Sequence, residues 1–282
     1  MIRFEYSILQ TFLLVASIFV LTKAMIPATP LPLILRRVRD RLLESSYLLC
    51  LFVAFVASLI DFLETRFDSR ITHAIHKDFT PLVARVGSHW VENLQHFRNL
   101  PLTYVLTYAY IWLFPAVTFA LFFAFVYYDR EELAQFLTAT YFTNLLVELP
   151  FYLFFPVNEV WASDSHVRLL TDRINPIIME HFRTVSAVDN CFPSFHTSLA
   201  LLVAIAAWRS RDLRMIVIST LSAVLVVAST LYLGIHWPLD VVSGVLAAAI
   251  CATACMNASA VFARLEFVLN ELRQFAVDKI SI

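Results

Sequence analysis

Two histidines, His196 and His236, stand at the mouths of long apolar runs in this 282-residue chain. The first ends Pro193-Ser194-Phe195-His196, and the second opens His236-Trp237-Pro238-Leu239-Asp240. Imidazole is the side chain whose charge changes near neutral pH, so such a pair can attack an electrophile and carry protons. The interval from position 196 to position 236 is about two membrane crossings at ~20 residues each. A chain that enters a bilayer after the first histidine and returns before the second brings both rings to one face. Titratable groups held at such an edge mark a functional site by default.

The neighbours of each histidine suggest its work. Pro193 suits the first turn of a helix, which places Ser194 and His196 at a helix amino end. Unpaired N–H groups and the positive end of the helix dipole bind anions there, phosphate above all. Ser194 adds a hydroxyl. Taken alone, this segment reads equally as a capped span with an interfacial histidine. Pro238 marks a second helix start, with His236 just ahead of it and Asp240 in its first turn. The Asp240 carboxylate can reach one imidazole nitrogen, fix the tautomer and leave the other nitrogen free to attack. Of the three glycines, Gly87, Gly234 and Gly244, the last two flank this motif. Gly234 permits a tight turn and Gly244 a close helix crossing. The chemistry that unites these groups is phosphoryl transfer through a phosphohistidine. His236 attacks phosphorus, Asp240 steadies the charge that develops on the ring, and His196 protonates the leaving alkoxide, then activates water or an alcohol. Cationic donors should cover the non-bridging oxygens.

The elements that must position these groups are membrane helices. The chain is 60% hydrophobic and 15% charged, with a mean hydropathy of +0.73, against roughly 25% charged residues in soluble domains. The expected fold is therefore all-α, a polytopic transmembrane helical bundle of about seven spans. The runs are Ile8–Met25, Leu42–Leu63, Leu102–Tyr127, Leu133–Phe155, Phe192–Trp208, Met215–Leu233 and Val241–Phe262. Residues 1–41 read as an N-terminal span followed by a basic, proline-containing loop, and 42–282 as the membrane-embedded core. Lys and Arg favour the side that holds Arg36, Arg37, Arg39 and Arg41, which sets both histidine motifs on the non-cytoplasmic face. Within 64–101, Val83, Val86, Trp90, Leu94 and Phe97 recur at helical spacing. They describe one amphipathic helix, lying in the headgroup plane or packed on the bundle top. The loop from Pro156 to Cys191 falls on the side of the histidines and carries His166, Arg168, Arg173 and Arg183. Net charge is −1, which argues against a nucleic-acid partner; the oligomeric state stays open. Cys50, Cys251 and Cys255 fall in spans, Cys191 stands alone beside the first motif, and no zinc-type spacing occurs. His73 and His76 share a helix face and read as structural.

At these positions the chain resembles the type-2 phosphatidic acid phosphatase superfamily. The family's middle motif, Pro-Ser-small-His, is similar to Pro193, Ser194 and His196, with Phe195 in the small position. Its last motif, Ser-Arg then His then Asp, matches Ser229, His236 and Asp240 in register, with Thr230 where a phosphate-clamping Arg is usual. Its first motif, Lys then Arg-Pro, is similar in spacing to His166 and Arg173, with His for Lys and Ile174 for Pro. Phe192 to His196, Tyr232 to His236 and Phe155-Pro156 look closer to the inositol phosphorylceramide synthase branch. The resemblance implies that six of the spans form the core bundle and that the substrate is a phosphorylated membrane lipid. It implies catalytic roles for His236, His196 and Asp240. The phosphate-binding set would be Ser194 and Thr230 with Arg173, Arg183, Arg168 and His166 standing in for the family's cations. The expected activity is hydrolysis of a lipid phosphate or diphosphate, with no cofactor and no metal. The rival readings are phosphotransfer of a headgroup to an alcohol, and a lipid or anion binder or transporter without catalysis.

Overall fold

The computed structural model describes residues 2–75, 77–174 and 187–280. Among the described residues every regular element is a helix, apart from one isolated bridge between Val157 and Asn190. The chain runs α1 (Ile2–Met25), α2 (Leu31–Leu42), α3 (Ser45–Ile75), α4 (Thr80–Ala84), α5 (Ser88–His96) and α6 (Leu100–Tyr108). A π-helical turn, Ala109–Leu113, joins α6 without a break to α7 (Phe114–Tyr127). Then follow α8 (Glu131–Phe154), α9 (Val160–Ser163), a 3-10 turn (Leu170–Arg173), α10 (Phe195–Ser210), α11 (Leu213–Tyr232), α12 (Pro238–Ala254) and α13 (Ala258–Ile280).

All seven apolar runs are helical, but they differ in how they meet a membrane. Among the described residues four stretches are long and apolar enough to cross: Ile8–Met25, Ser45–Phe67, Leu100–Tyr127 and Leu213–Tyr232. A fifth is the pair Pro238–Ala254 and Ala258–Leu272, bent by 57°. The run Val241–Phe262 is therefore not one straight helix. It breaks after Ala254, and α13 carries on well past the apolar segment. Helix α10 has 16 residues, about 24 Å at 1.5 Å per residue, which is short of a ~30 Å hydrocarbon core. Helix α8 is long enough but carries Gln135, Asn144 and Glu148, all buried.

Helix α10 is the hub. It packs against α7, α8, α11 and α12, while α1 lies on α7 and α3 lies on α8 and α13. Small residues permit this crowding. Ala200 and Ala204 of α10 meet Ala223 and Val226 of α11. At the crossing with α12, a Cβ added to Gly244 would lie 2.7 Å from the Ser194 carbonyl oxygen. Only a glycine lets the two backbones come so close, as expected for Gly244.

Three segments depart from the expected element boundaries. The basic segment forms α2, because Pro32 sits in the first turn, where a missing N–H costs nothing. Its Ile34 and Val38 face inward, while Arg37 and Arg41 pair with Asp129 at 3.0 and 2.9 Å. Helix α3 extends to Ile75, past the expected limit at Leu63. The single amphipathic helix is in fact two, α4 and α5, separated at Gly87, whose φ of +80° ends a helical register. Helix α5 buries Val91 and Gln95 against the bundle and turns Trp90 and Phe97 outward, 62% and 75% exposed.

Candidate active site

Both histidine motifs build helix starts, and the two starts are tied together. The first departs from expectation by one step. Pro193 precedes the helix, and Ser194 is its N-cap, with Oγ accepting from the Thr197 amide at 3.3 Å and from the Thr197 hydroxyl at 3.1 Å. His196 therefore occupies the second helical position. The second motif follows the reading closely. Helix α12 begins at Pro238, and Asp240 Oδ2 reaches back to accept from the Trp237 amide at 2.7 Å. The Ser194 amide donates to the Asp240 carbonyl at 3.1 Å, so the two helix ends are one assembly.

His236 is held from one side. Its Nδ1 lies 3.0 Å from the Cys191 carbonyl and 3.3 Å from Asp240 Oδ2. Both are acceptors, so the arrangement suits a ring with hydrogen on Nδ1, which in the neutral form leaves Nε2 its lone pair. His236 is only 4% exposed and Asp240 wholly buried. The His236 amide donates to the Thr230 carbonyl at 3.1 Å, which anchors the backbone as well as the ring. The turn before it depends on Gly234, at φ +81°. A Cβ there would meet the Arg168 carbonyl at 2.8 Å.

His196 approaches from α10. The two imidazole centroids are 6.3 Å apart with planes at 55°. The Tyr110 ring stacks on His196 at 4.1 Å, and the Phe114 ring lies tilted against it at 4.5 Å. Both aromatics come from the π-helical turn and the residue after it. Such turns often mark functional sites because they re-aim side chains that a regular helix would direct elsewhere.

The loop after α8 is stitched onto the His236 turn. Val160 donates to the Ile235 carbonyl at 3.2 Å, Trp161 to Gly234 at 3.0 Å, and Leu170 to Leu233 at 3.2 Å. Gln95 of α5 clasps Arg168 through both its backbone groups, at 3.0 and 2.8 Å. Arg168 thus sits beside the turn with its side chain exposed, as are those of His166 and Arg173. Arg183 lies outside the described residues, and so does the side chain of His73, with His76. The Thr230 hydroxyl donates to the Val227 carbonyl at 2.8 Å within its own helix, so its carbonyl does the positioning.

Two groups of residues escaped the sequence reading. Cys191 is buried, and its Sγ lies 2.9 Å from Asp240 Oδ2 and 3.3 Å from His236 Nδ1. Burial first, then the Asp240 and Glu159 carboxylates, holds this thiol well above its usual range. The other group is a polar chain inside the bundle. Ser198 donates to Glu148 Oε1 at 2.6 Å, Asn144 donates to Ser198 at 2.9 Å, and the Tyr152 hydroxyl lies 2.8 Å from Glu148 Oε2 and 3.0 Å from the Pro193 carbonyl. It braces the start of α10 from below. Its signal was present: Asn144, Glu148 and Tyr152 recur every fourth residue, and so share one helix face, inside an apolar run.

Against known proteins, the chain matches the family model described as the PAP2 superfamily over residues 78–254, more than half its length. The matched region begins just before α4 and ends with α12, enclosing every site residue named above. No curated protein and no solved structure matches. The paired helix starts, the two facing imidazoles and this match lead to one statement: the chain belongs to the PAP2 superfamily.

Proposed function

We propose that this protein is an integral membrane lipid phosphatase, acting on a lipid phosphate or diphosphate through a phosphohistidine, with its site on the non-cytoplasmic face. The observation that carries the reading is the anchored His236 ring. Its Nδ1 is occupied by the Cys191 carbonyl and Asp240, and a second imidazole stands 6.3 Å from it. In this mechanism Nε2 of His236 attacks phosphorus and the Nδ1–H bond to Asp240 stabilises the cationic phosphoimidazole. His196 gives a proton to the departing oxygen. It then takes one from the incoming nucleophile, which attacks phosphorus and frees His236. The amino end of α10 offers partial positive charge to the transferring group. Arg168, Arg173 and Arg183 are the cations assigned to the phosphate oxygens.

Headgroup transfer to an alcohol is the second reading. It is favoured by a buried nucleophile, by Thr230 in place of the usual Arg, and by the likeness of Tyr232 to His236 to the inositol phosphorylceramide synthases. Both reactions share the covalent intermediate and differ in what resolves it. The test is trapping. Purified protein is mixed with phosphatidic acid labelled in its phosphate, and separately with a labelled lipid diphosphate. Each reaction is quenched in alkali, where phosphohistidine survives. Label on wild type that is absent from His236→Ala supports the intermediate. Release of phosphate then marks a hydrolase, and label passed to an added lipid alcohol marks a transferase. Turnover by His236→Ala at the wild-type rate would refute the assigned nucleophile.

A further inference from the structure

We propose that Cys191, His236 and Asp240 form a binding site for a soft divalent cation, zinc above all, whose occupancy arrests phosphoryl transfer. Each residue offers one ligand atom. Cys191 Sγ lies 3.3 Å from His236 Nδ1, Nδ1 lies 3.3 Å from Asp240 Oδ2, and Sγ lies 2.9 Å from Oδ2. All three residues are at least nine-tenths buried. Tetrahedral zinc, with bonds of ~2.3 Å to sulfur and ~2.0–2.2 Å to nitrogen or oxygen, sets adjacent ligand atoms roughly 3.3–3.6 Å apart. The Nδ1–Oδ2 separation already matches, and the two sulfur separations open by roughly 0.2 and 0.6 Å if the thiol turns about χ1.

A second observation points the same way. Asp240 Oδ1 is buried and has no hydrogen-bond partner. It is the additional oxygen that a chelating carboxylate presents to an ion. Thiolate and imidazole together select zinc, cobalt or cadmium over magnesium or calcium. The site therefore differs in kind from an oxygen-lined activating site.

The binding step balances without redox chemistry. As the Sγ–metal bond forms, the thiol proton leaves to solvent. As the Nδ1–metal bond forms, the ring proton moves from Nδ1 to Nε2. One proton is released, and the two negative ligands neutralise the ion. The outcome is the opposite tautomer of His236, with Nε2 carrying hydrogen and unable to attack. Inhibition thus rests on the proposed role of His236, whereas binding does not.

The experiment uses the full-length protein in detergent, stripped with EDTA and titrated with cobalt(II) alone. We expect one equivalent to bind and to give a thiolate-to-cobalt charge-transfer band in the near ultraviolet. Cys191→Ser keeps the side-chain size, and its thermal midpoint verifies that the variant is folded. It should lose the band and weaken binding at least ~10-fold, the scale on which metal affinity responds even to supporting residues. Asp240→Asn should weaken it similarly. Cys50, Cys251 and Cys255, all buried, are internal controls. A band that survives in Cys191→Ser, or no cobalt bound by wild type, overturns the site. Zinc added to turning-over enzyme should inhibit wild type at least ~10-fold more strongly than Cys191→Ser, each against its own metal-free rate. Zinc bound with turnover intact overturns the inhibitory role. If no turnover is found at all, the functional reading fails while the cobalt titration still decides the site.

Discussion

Replacing Gly244 by alanine should slow the reaction far more than its single methyl group suggests. The new Cβ would stand 2.7 Å from the Ser194 carbonyl oxygen and 3.0 Å from Thr197 Cβ, where ordinary contact begins at 3.4 Å. The obstructing oxygen is backbone at the N-cap of α10, so no side chain can swing aside. Helices α10 and α12 must separate by about 0.7 Å, the difference between those two distances. That movement strains the 3.1 Å bond from the Ser194 amide to the Asp240 carbonyl and widens the gap between His196 and His236. Overpacking of this kind costs about 1–3 kcal/mol. A misplacement near 1 Å costs on the order of a hundredfold in rate, so a loss of roughly tenfold or more is expected here. The assay is phosphate release or headgroup transfer in mixed micelles, with a thermal midpoint measured beside it. The turnover number should fall with little change in KM, because the damage is to alignment. Val245→Ala, on the exposed side of the same helix, should behave as wild type. A Gly244→Ala enzyme with full turnover would mean that the crossing does not set the distance between the imidazoles.

Three further outcomes follow from other contacts. Tyr232→Phe removes a hydroxyl that meets the Asn99 amide at 3.2 Å and the Thr103 hydroxyl at 3.0 Å; chemical denaturation should show a loss of about 1–2 kcal/mol. Glu148→Ala should lower both thermal midpoint and turnover, since Ser198 and Tyr152 each lose a partner beneath the start of α10, at about 1–3 kcal/mol for an unsatisfied buried group. Glu148→Gln should recover much of both, and equal damage from the two variants would refute the bracing role. The raised Cys191 thiol has a signed consequence for pH. The folded state keeps this proton more tightly than the unfolded chain. Stability is therefore flat below the ordinary thiol value of about 8.5 and is lost as pH rises above it. Thermal midpoints recorded from pH 7 to 10 should decline more shallowly in Cys191→Ala; an unchanged slope would place the titration elsewhere.

The placement of the two histidine motifs was more legible than the rest of the scaffold. Histidine and proline spacing alone put His236 before a helix, Asp240 in its first turn and His196 at a facing helix start, because local rules of helix initiation act over a few residues. The Cys191 carbonyl was not legible, since backbone acceptors look alike in every sequence and only tertiary contact singles one out. The turn at Gly87 was missed because the stripe from Val83 to Phe97 keeps helical spacing across it. The break after Ala254 was missed because Cys255 and Met256 are as apolar as their neighbours. The helical nature of residues 31–42 was obscured by the prolines, which suggest a loop, although Pro32 is a first-turn residue.

The widened turn at Ala109–Leu113 works as an angular offset in the apolar rod Leu100–Tyr127. A regular helix rotates about 100° per residue, and a wide turn accommodates about one residue more than that geometry allows. Everything downstream is consequently dialled around the axis without being moved far along it. Tyr110, inside the turn, and Phe114, just after it, both lie against the His196 ring, with centroids at 4.1 and 4.5 Å. Removal of a single amino acid from this segment would let the rod relax to uniform winding, rotating one half against the other while its reach through the bilayer stayed almost the same. In this family member the aromatic grip on the His196 ring is thus encoded by a count of residues as much as by their identity.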